Sequence, residues 1–196
     1  YDGKTILGFN KFSIHKLLER QYPSDFYFQK LVYQNHNLGT ENKFAKVFFN
    51  GTPWGIMNVE EHMSKEYLEK KQKKESFIIK FSNDDKTHFD IKVGNNSFNF
   101  FRVSDQLLNI NLYDENQVLK NEINRQRISY IHNKVENQFD NLFDTESFLK
   151  SIIFSAIWGN FHPLLDINKR FYFNPYTLKL EVITTDQDYY EEIINI

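Results

Sequence analysis

The sequence predicts an α+β fold, β-rich in its first half and helical in its second, on three observations. Residues 44–49 and 54–60 are apolar runs joined through Asn50-Gly51, a hairpin signal because both turn residues tolerate positive φ. Residues 77–81, Phe-Ile-Ile-Lys-Phe, are apolar enough for a buried strand. The run 148–158 carries Phe148, Leu149, Ile152, Ile153, Phe154, Ala156, Ile157 and Trp158 almost all round, which predicts a central buried helix.

Composition supports a packed domain. The 196 residues suffice for one domain, or for a small lobe with part of a larger one, and 40% hydrophobic content with 20 Phe and 11 Tyr argues against disorder. A net charge of -2 gives no broad electrostatic footprint for nucleic acid or an anionic membrane. The absence of cysteine removes disulfides, thiolate zinc sites and cysteine nucleophiles, and leaves the compartment open. No apolar run reaches the length of a membrane span. The chain begins at Tyr1 rather than at a methionine and stops at Ile196 after an acidic cluster, so it is expected to be an internal fragment, truncated at the C-terminus.

Residues 12–40 read as a helix and turn, with Phe12, Ile14, Leu17, Leu18 and Tyr22 at near-helical spacing, an interruption at Pro23 and a resumption over 26–33; Arg20 and Asp25 are placed to pair across the break. Pro53 implies a hairpin loop slightly longer than two residues. Ser64 caps a helix running to about Lys74, with Met63, Tyr67 and Leu68 on one face. Residues 82–100 are polar and read as a surface loop. Residues 104–139 suit amphipathic helices, and Asp144 caps the apolar helix that ends at Gly159.

The chemistry concentrates after Gly159. A polar loop delivers His162, Asp166 and Asn168, the aromatic strand 170–174 follows, and a second apolar strand, 180–183, leads to Asp186 and Asp188. Hard oxygen ligands at the ends of rigid elements are what a metal-phosphate site needs, and they point to phosphoryl transfer.

Four pieces stand in order: Phe12-Ser13-Ile14 with Arg20 and Tyr22, the strand-turn-strand from Val47 to Ile56, Glu60-Glu61-His62 with 65–68, and the block from Asn168 to Asp186. Together they resemble the CotH kinase family, the atypical kinase-like proteins named for a spore-coat protein. The resemblance covers most of the chain. It implies a protein-kinase-like fold with a β-rich N-terminal lobe over residues 1–100 and a partial helical lobe over 101–196, holding ATP and Mg2+ or Mn2+ between them. It further implies that Lys80 contacts the ATP phosphates, that Glu61 pairs with Lys80, and that Asn168 and Asp186 bind the metal, with Asp188 as an added ligand. The partner would be a protein substrate of a coat or cell surface, phosphorylated on Ser or Thr hydroxyls.

The base departs from the family pattern. Many members carry an aspartate five residues before the asparagine, where this chain has Pro163, so the proton acceptor is either His162 or Asp166. The turn carrying Gly51 and Gly55 is a candidate for approaching phosphates through backbone N–H groups, as well as a plain hairpin turn. Lys80 also fits an edge-strand lysine reaching water, Asp186 and Asp188 fit turn caps, and His162 fits a helix-capping histidine. Arg170 and Tyr172 fit phosphate contact or packing. Asp84, Asp85, His88 and Asp90 lack the calcium-loop spacing and read as a solvated loop. Two other functions stay open: a non-catalytic structural or adhesive module of the same fold, and a metal-dependent hydrolase or nuclease using His162, Asp166, Asp186 and Asp188.

Overall fold

The computed structural model of the chain describes residues 5–82, 89–93, 96–100, 109–112, 122–137, 141–165 and 168–187. Mixed α and β structure runs through both halves. Strands are β1 (Phe12–Lys16), β2 (Asn42–Phe49), β3 (Thr52–Glu61), β4 (Ile78–Ser82), β5 (Phe89–Val93), β6 (Asn96–Phe100), β7 (Asn109–Leu112), β8 (Arg170–Asn174) and β9 (Lys179–Ile183). Helices are α1 (Ser24–Gln34), α2 (Lys65–Lys70), α3 (Glu122–Asn137) and α4 (Thr145–Ile157), with 3-10 turns at Leu18–Arg20 and His162–Leu164.

Among the described residues three antiparallel sheets form, in the orders β1-β3-β2, β7-β4-β8-β9 and β5-β6. Strands β4, β8 and β9 place apolar side chains on both faces of the four-stranded sheet, continuously on one and only in part on the other. Phe77, Ile79, Phe171, Phe173, Leu180 and Val182 meet Ile131 of α3 on one side. Ile78, Tyr172 and Ile183 meet Leu38, Tyr67 and Leu68 on the other. Phe77 and Phe173 stack at 5.1 Å. A third cluster joins α1 to α4 through Phe28, Val32 and Phe154.

Several expectations are corrected. Residues 12–16 are a strand, because Phe12, Ile14 and Lys16 alternate with Ser13 and His15 and the segment pairs with β3 along its whole length. The hairpin turn is the two residues Asn50 and Gly51, both at positive φ (49° and 78°). The irregularity expected from Pro53 falls instead in the ladder, as a register shift between Val47 and Phe48. Pro53 is tolerated there because β1 ends opposite Met57, leaving that part of β3 without a second neighbour.

Helix α2 is shorter than the sequence suggests. Ser64 caps it by accepting from the Tyr67 N–H, but Gln72 at φ 55° turns the chain out after Lys70. The polar stretch 82–100 contains the β5-β6 hairpin, and residues 109–112 pair with β4 rather than forming helix. Asp144 caps α4 by accepting from Ser147 N–H at 2.8 Å, and Gly159 ends it at φ 71°. That helix is not buried all round: Leu149, Ile153 and Ile157, one stripe at four-residue spacing, are each more than half exposed.

Of the glycines at 8, 39, 51 and 55, Gly39 is the most tightly surrounded. A Cβ there would lie 2.6 Å from Gln29 Oε1, 2.8 Å from Val32 Cγ1 and 3.0 Å from the Thr184 carbonyl oxygen. Gly39→Ala is therefore expected to cost about 1–3 kcal/mol by overpacking, lowering Tm by roughly 2–12 °C. Thermal unfolding followed by circular dichroism measures it, and an unchanged Tm would show that α1 and the 184 strand end are not held this tightly.

Candidate functional site

The segment leaving β9 is stitched to the N-terminal half by backbone and side-chain hydrogen bonds. Thr184 N–H donates to the Leu38 carbonyl at 2.7 Å, the Thr40 and Thr185 hydroxyls meet at 2.8 Å, and Asn37 donates to Thr184 Oγ1 at 3.1 Å. Gln187 closes the segment. Its N–H donates to Asp25 Oδ1 at 3.0 Å and its side-chain amide to the Asn160 carbonyl at 2.8 Å. Asp186 lies between these anchors at φ 62°, a left-handed conformation that is unusual for a non-glycine residue and that clusters at functional sites.

Asp186 faces a cleft of about 210 Å³ that also meets His15, Arg20, Glu60, Glu61, Asn168 and Arg170. Arg20 spans two acids, with Nη1 2.6 Å from Asp186 Oδ1 and Nη2 2.5 Å from Glu60 Oε2. The pairing expected between Arg20 and Asp25 does not form, because Asp25 turns inward. It accepts from Asn42 Nδ2 at 2.9 Å and Gln29 Nε2 at 3.4 Å as well as from Gln187. Asn42 in turn accepts from Asn58 at 3.1 Å, so the network reaches β3.

Asn168 is buried, and its amide orientation is set by donation from Nδ2 to the His162 carbonyl at 3.0 Å. Asn168 lines the cleft, and its side-chain amide carries a hard carbonyl oxygen. With Asp186, this suits a divalent cation that keeps waters or phosphate oxygens. Among the described residues, no three histidine or carboxylate side chains converge to hold a metal without such help. His162 Nε2 stands 3.8 Å from Asp186 Oδ2, too long for a direct hydrogen bond.

Other predicted residues lie elsewhere. Glu61, the last residue of β3, lines the cleft, but its cation is Lys70 at 3.1 Å and not Lys80. Lys70 closes the last turn of α2 beside β3. Lys80 is on β4 opposite Asn111, on the sheet face of Ile78 by alternation, and is not among the residues lining the cleft. Gly51 and Gly55 have open space around them at the exposed hairpin and do not line the cleft. Arg170 reaches the cleft, whereas Tyr172 is buried with its hydroxyl donating to the Lys74 carbonyl at 2.7 Å. Asp166 and Asp188 lie outside the described residues, as do Asp84, Asp85 and His88.

Sequence reasoning missed Glu60 and the bridging role of Arg20. Burial pushes Glu60 up to about 7, against the pull of the Arg20 guanidinium. Burial likewise raises Asp25 to about 6, against its three hydrogen-bond donors.

No helix among the described residues is long and apolar enough to cross a membrane. No family model matches the chain, and no curated protein matches it either.

These raised acids fix a pH dependence. The folded chain retains protons that the unfolded chain releases, so the contribution of Glu60 is present below about pH 4.5 and is lost as pH rises toward 7. Denaturant titrations between pH 4.5 and 7.5 are expected to show a shallower loss of stability with pH in Glu60→Gln than in the wild type. Parallel pH profiles would mean that Glu60 titrates normally.

Proposed function

We propose that the chain is a kinase-like domain of the CotH type, which transfers a phosphoryl group from ATP, with Mg2+ or Mn2+, to Ser or Thr hydroxyls of a protein. The observation that carries this reading is the meeting of Asn168 and Asp186 on one cleft, from the two open ends of the β8-β9 hairpin. These are the residue types that hold the metal in protein kinases, one in the catalytic loop and one in the following acidic motif. A bound cation would neutralise charge on the transferring phosphoryl group.

The chain's own part is positioning and charge. Asn168 Oδ1 and Asp186 supply hard oxygens, and Arg20 and Arg170 supply positive charge for phosphate oxygens. The cleft volume of about 210 Å³ lies below the roughly 300–1,000 Å³ of sites that enclose a whole small molecule. It fits the metal-phosphate end of a nucleotide. His162, beside Asp186, is the described candidate for accepting the hydroxyl proton.

One set of observations favours the alternative, a non-catalytic structural or adhesive module. Asp186 is already neutralised by Arg20, and Lys80 neither pairs with Glu61 nor lines the cleft.

Calorimetric titration of ATP with Mg2+ separates the readings. The kinase reading expects saturable, metal-dependent binding that is abolished by Asp186→Ala and weakened about tenfold or more by Asn168→Ala. A folded wild-type protein that binds no nucleotide would sink the kinase reading and leave the structural module. Lys80→Ala, in the same titration, tests whether the strand lysine reaches the phosphates.

A further inference from the structure

We propose that Arg20 is a charge gate that lets the cleft take a divalent cation together with a phosphate-bearing ligand and disfavours the cation alone. The inference rests on the phosphotransferase reading and adds a specificity residue to it. Arg20 occupies Asp186 Oδ1 at 2.6 Å, the oxygen a bare cation would seek. A guanidinium stays charged at any ordinary pH, so an incoming cation meets a fixed like charge and must break a short charge-assisted hydrogen bond.

Release from Asp186 does not send Arg20 into water. Its second nitrogen, Nη2, remains 2.5 Å from Glu60 Oε2, and Glu60 is buried. A phosphate group entering the cleft can accept from the freed Nη1, in a charge-assisted bond that replaces the one to Asp186.

Ligand count pushes the same way. Asn168 and Asp186 leave most positions of an octahedral cation to be filled by water or phosphate oxygens, and no third histidine or carboxylate joins them among the described residues. Phosphate thus both completes the cation's shell and draws Arg20 off Asp186. Metal and nucleotide should bind with positive coupling, and the coupling must be reciprocal.

The test measures Mn2+ alone, ATP alone and Mn2+ in the presence of ATP by calorimetry, on wild type, Arg20→Gln, Glu60→Gln and Asp186→Asn. Arg20→Gln is expected to bind bare Mn2+ on the order of tenfold more tightly than wild type and to show weaker coupling between Mn2+ and ATP. Glu60→Gln leaves the guanidinium with Asp186 as its one carboxylate and is expected to bind bare Mn2+ more weakly. Asp186→Asn should bind none. A merely structural role for Arg20 would lower bare Mn2+ affinity in both Arg20→Gln and Glu60→Gln, so the rise in Arg20→Gln is diagnostic; if that variant fails to fold, wild type decides, because the gate requires Mn2+ and ATP to bind with positive coupling and independent binding of the two overturns it. Metal-dependent ATP binding in wild type, with bare Mn2+ affinity unchanged or reduced in Arg20→Gln or raised in Glu60→Gln, overturns the gate alone. Absence of metal–ATP binding in folded wild type overturns the phosphotransferase reading, and the gate with it.

Discussion

A single carboxylate, removed from water, ties the two halves of the chain together. Asp25 accepts hydrogen bonds from its own helix α1, from β2 and from the backbone that follows β9, the last 162 residues away in sequence. Burial of a charge is costly unless such donors surround it, so each of the three segments is constrained by the same requirement. The Arg20 bridge, the left-handed Asp186 and the cleft lie next to that hub.

Two kinds of packing divide the labour. Strands β4, β8 and β9, with apolar clusters on both faces, supply the non-directional stabilisation of apolar burial. The polar network between 184–187 and residues 25–58 supplies direction, since hydrogen bonds have narrow geometries and apolar contacts do not. Small polar residues, Thr40, Asn42, Asn58, Thr184 and Thr185, therefore occupy places where a larger apolar side chain would be the usual filling.

Legibility in the sequence followed locality. The Asn50-Gly51 turn, the Ser64 and Asp144 caps and the strand through Ile79 are set by neighbours within a few residues, and each is found where the pattern put it. The strand Phe12–Lys16 was misread because five residues satisfy a period of two and a period of 3.6 nearly equally well, and pairing with β3 decides between them. The shortening of α2 escaped because Gln72 is not a residue type that signals a left-handed turn. At the site, Asn168 and Asp186 were legible as a pair because one hairpin separates them. The partner of Glu61 was not, because Lys70 and Lys80 are equally basic and only tertiary packing chooses. Arg20 was visible as a residue but not as a bridge, since its two acids come from β3 and from beyond β9.

The β8-β9 hairpin carries one more implication. Asn168 and Asp186 flank its open end, while the turn at 175–178 lies at the opposite end of the paired strands, from Arg170 opposite Ile183 to Asn174 opposite Lys179. Length changes in that turn leave the paired strands, and therefore the spacing of the two oxygens, untouched. A deletion of one residue inside either strand would instead swap its inward and outward side chains and move one oxygen along the strand axis. Insertions and deletions among natural variants of this chain should therefore collect at 175–178 and avoid the strands on either side.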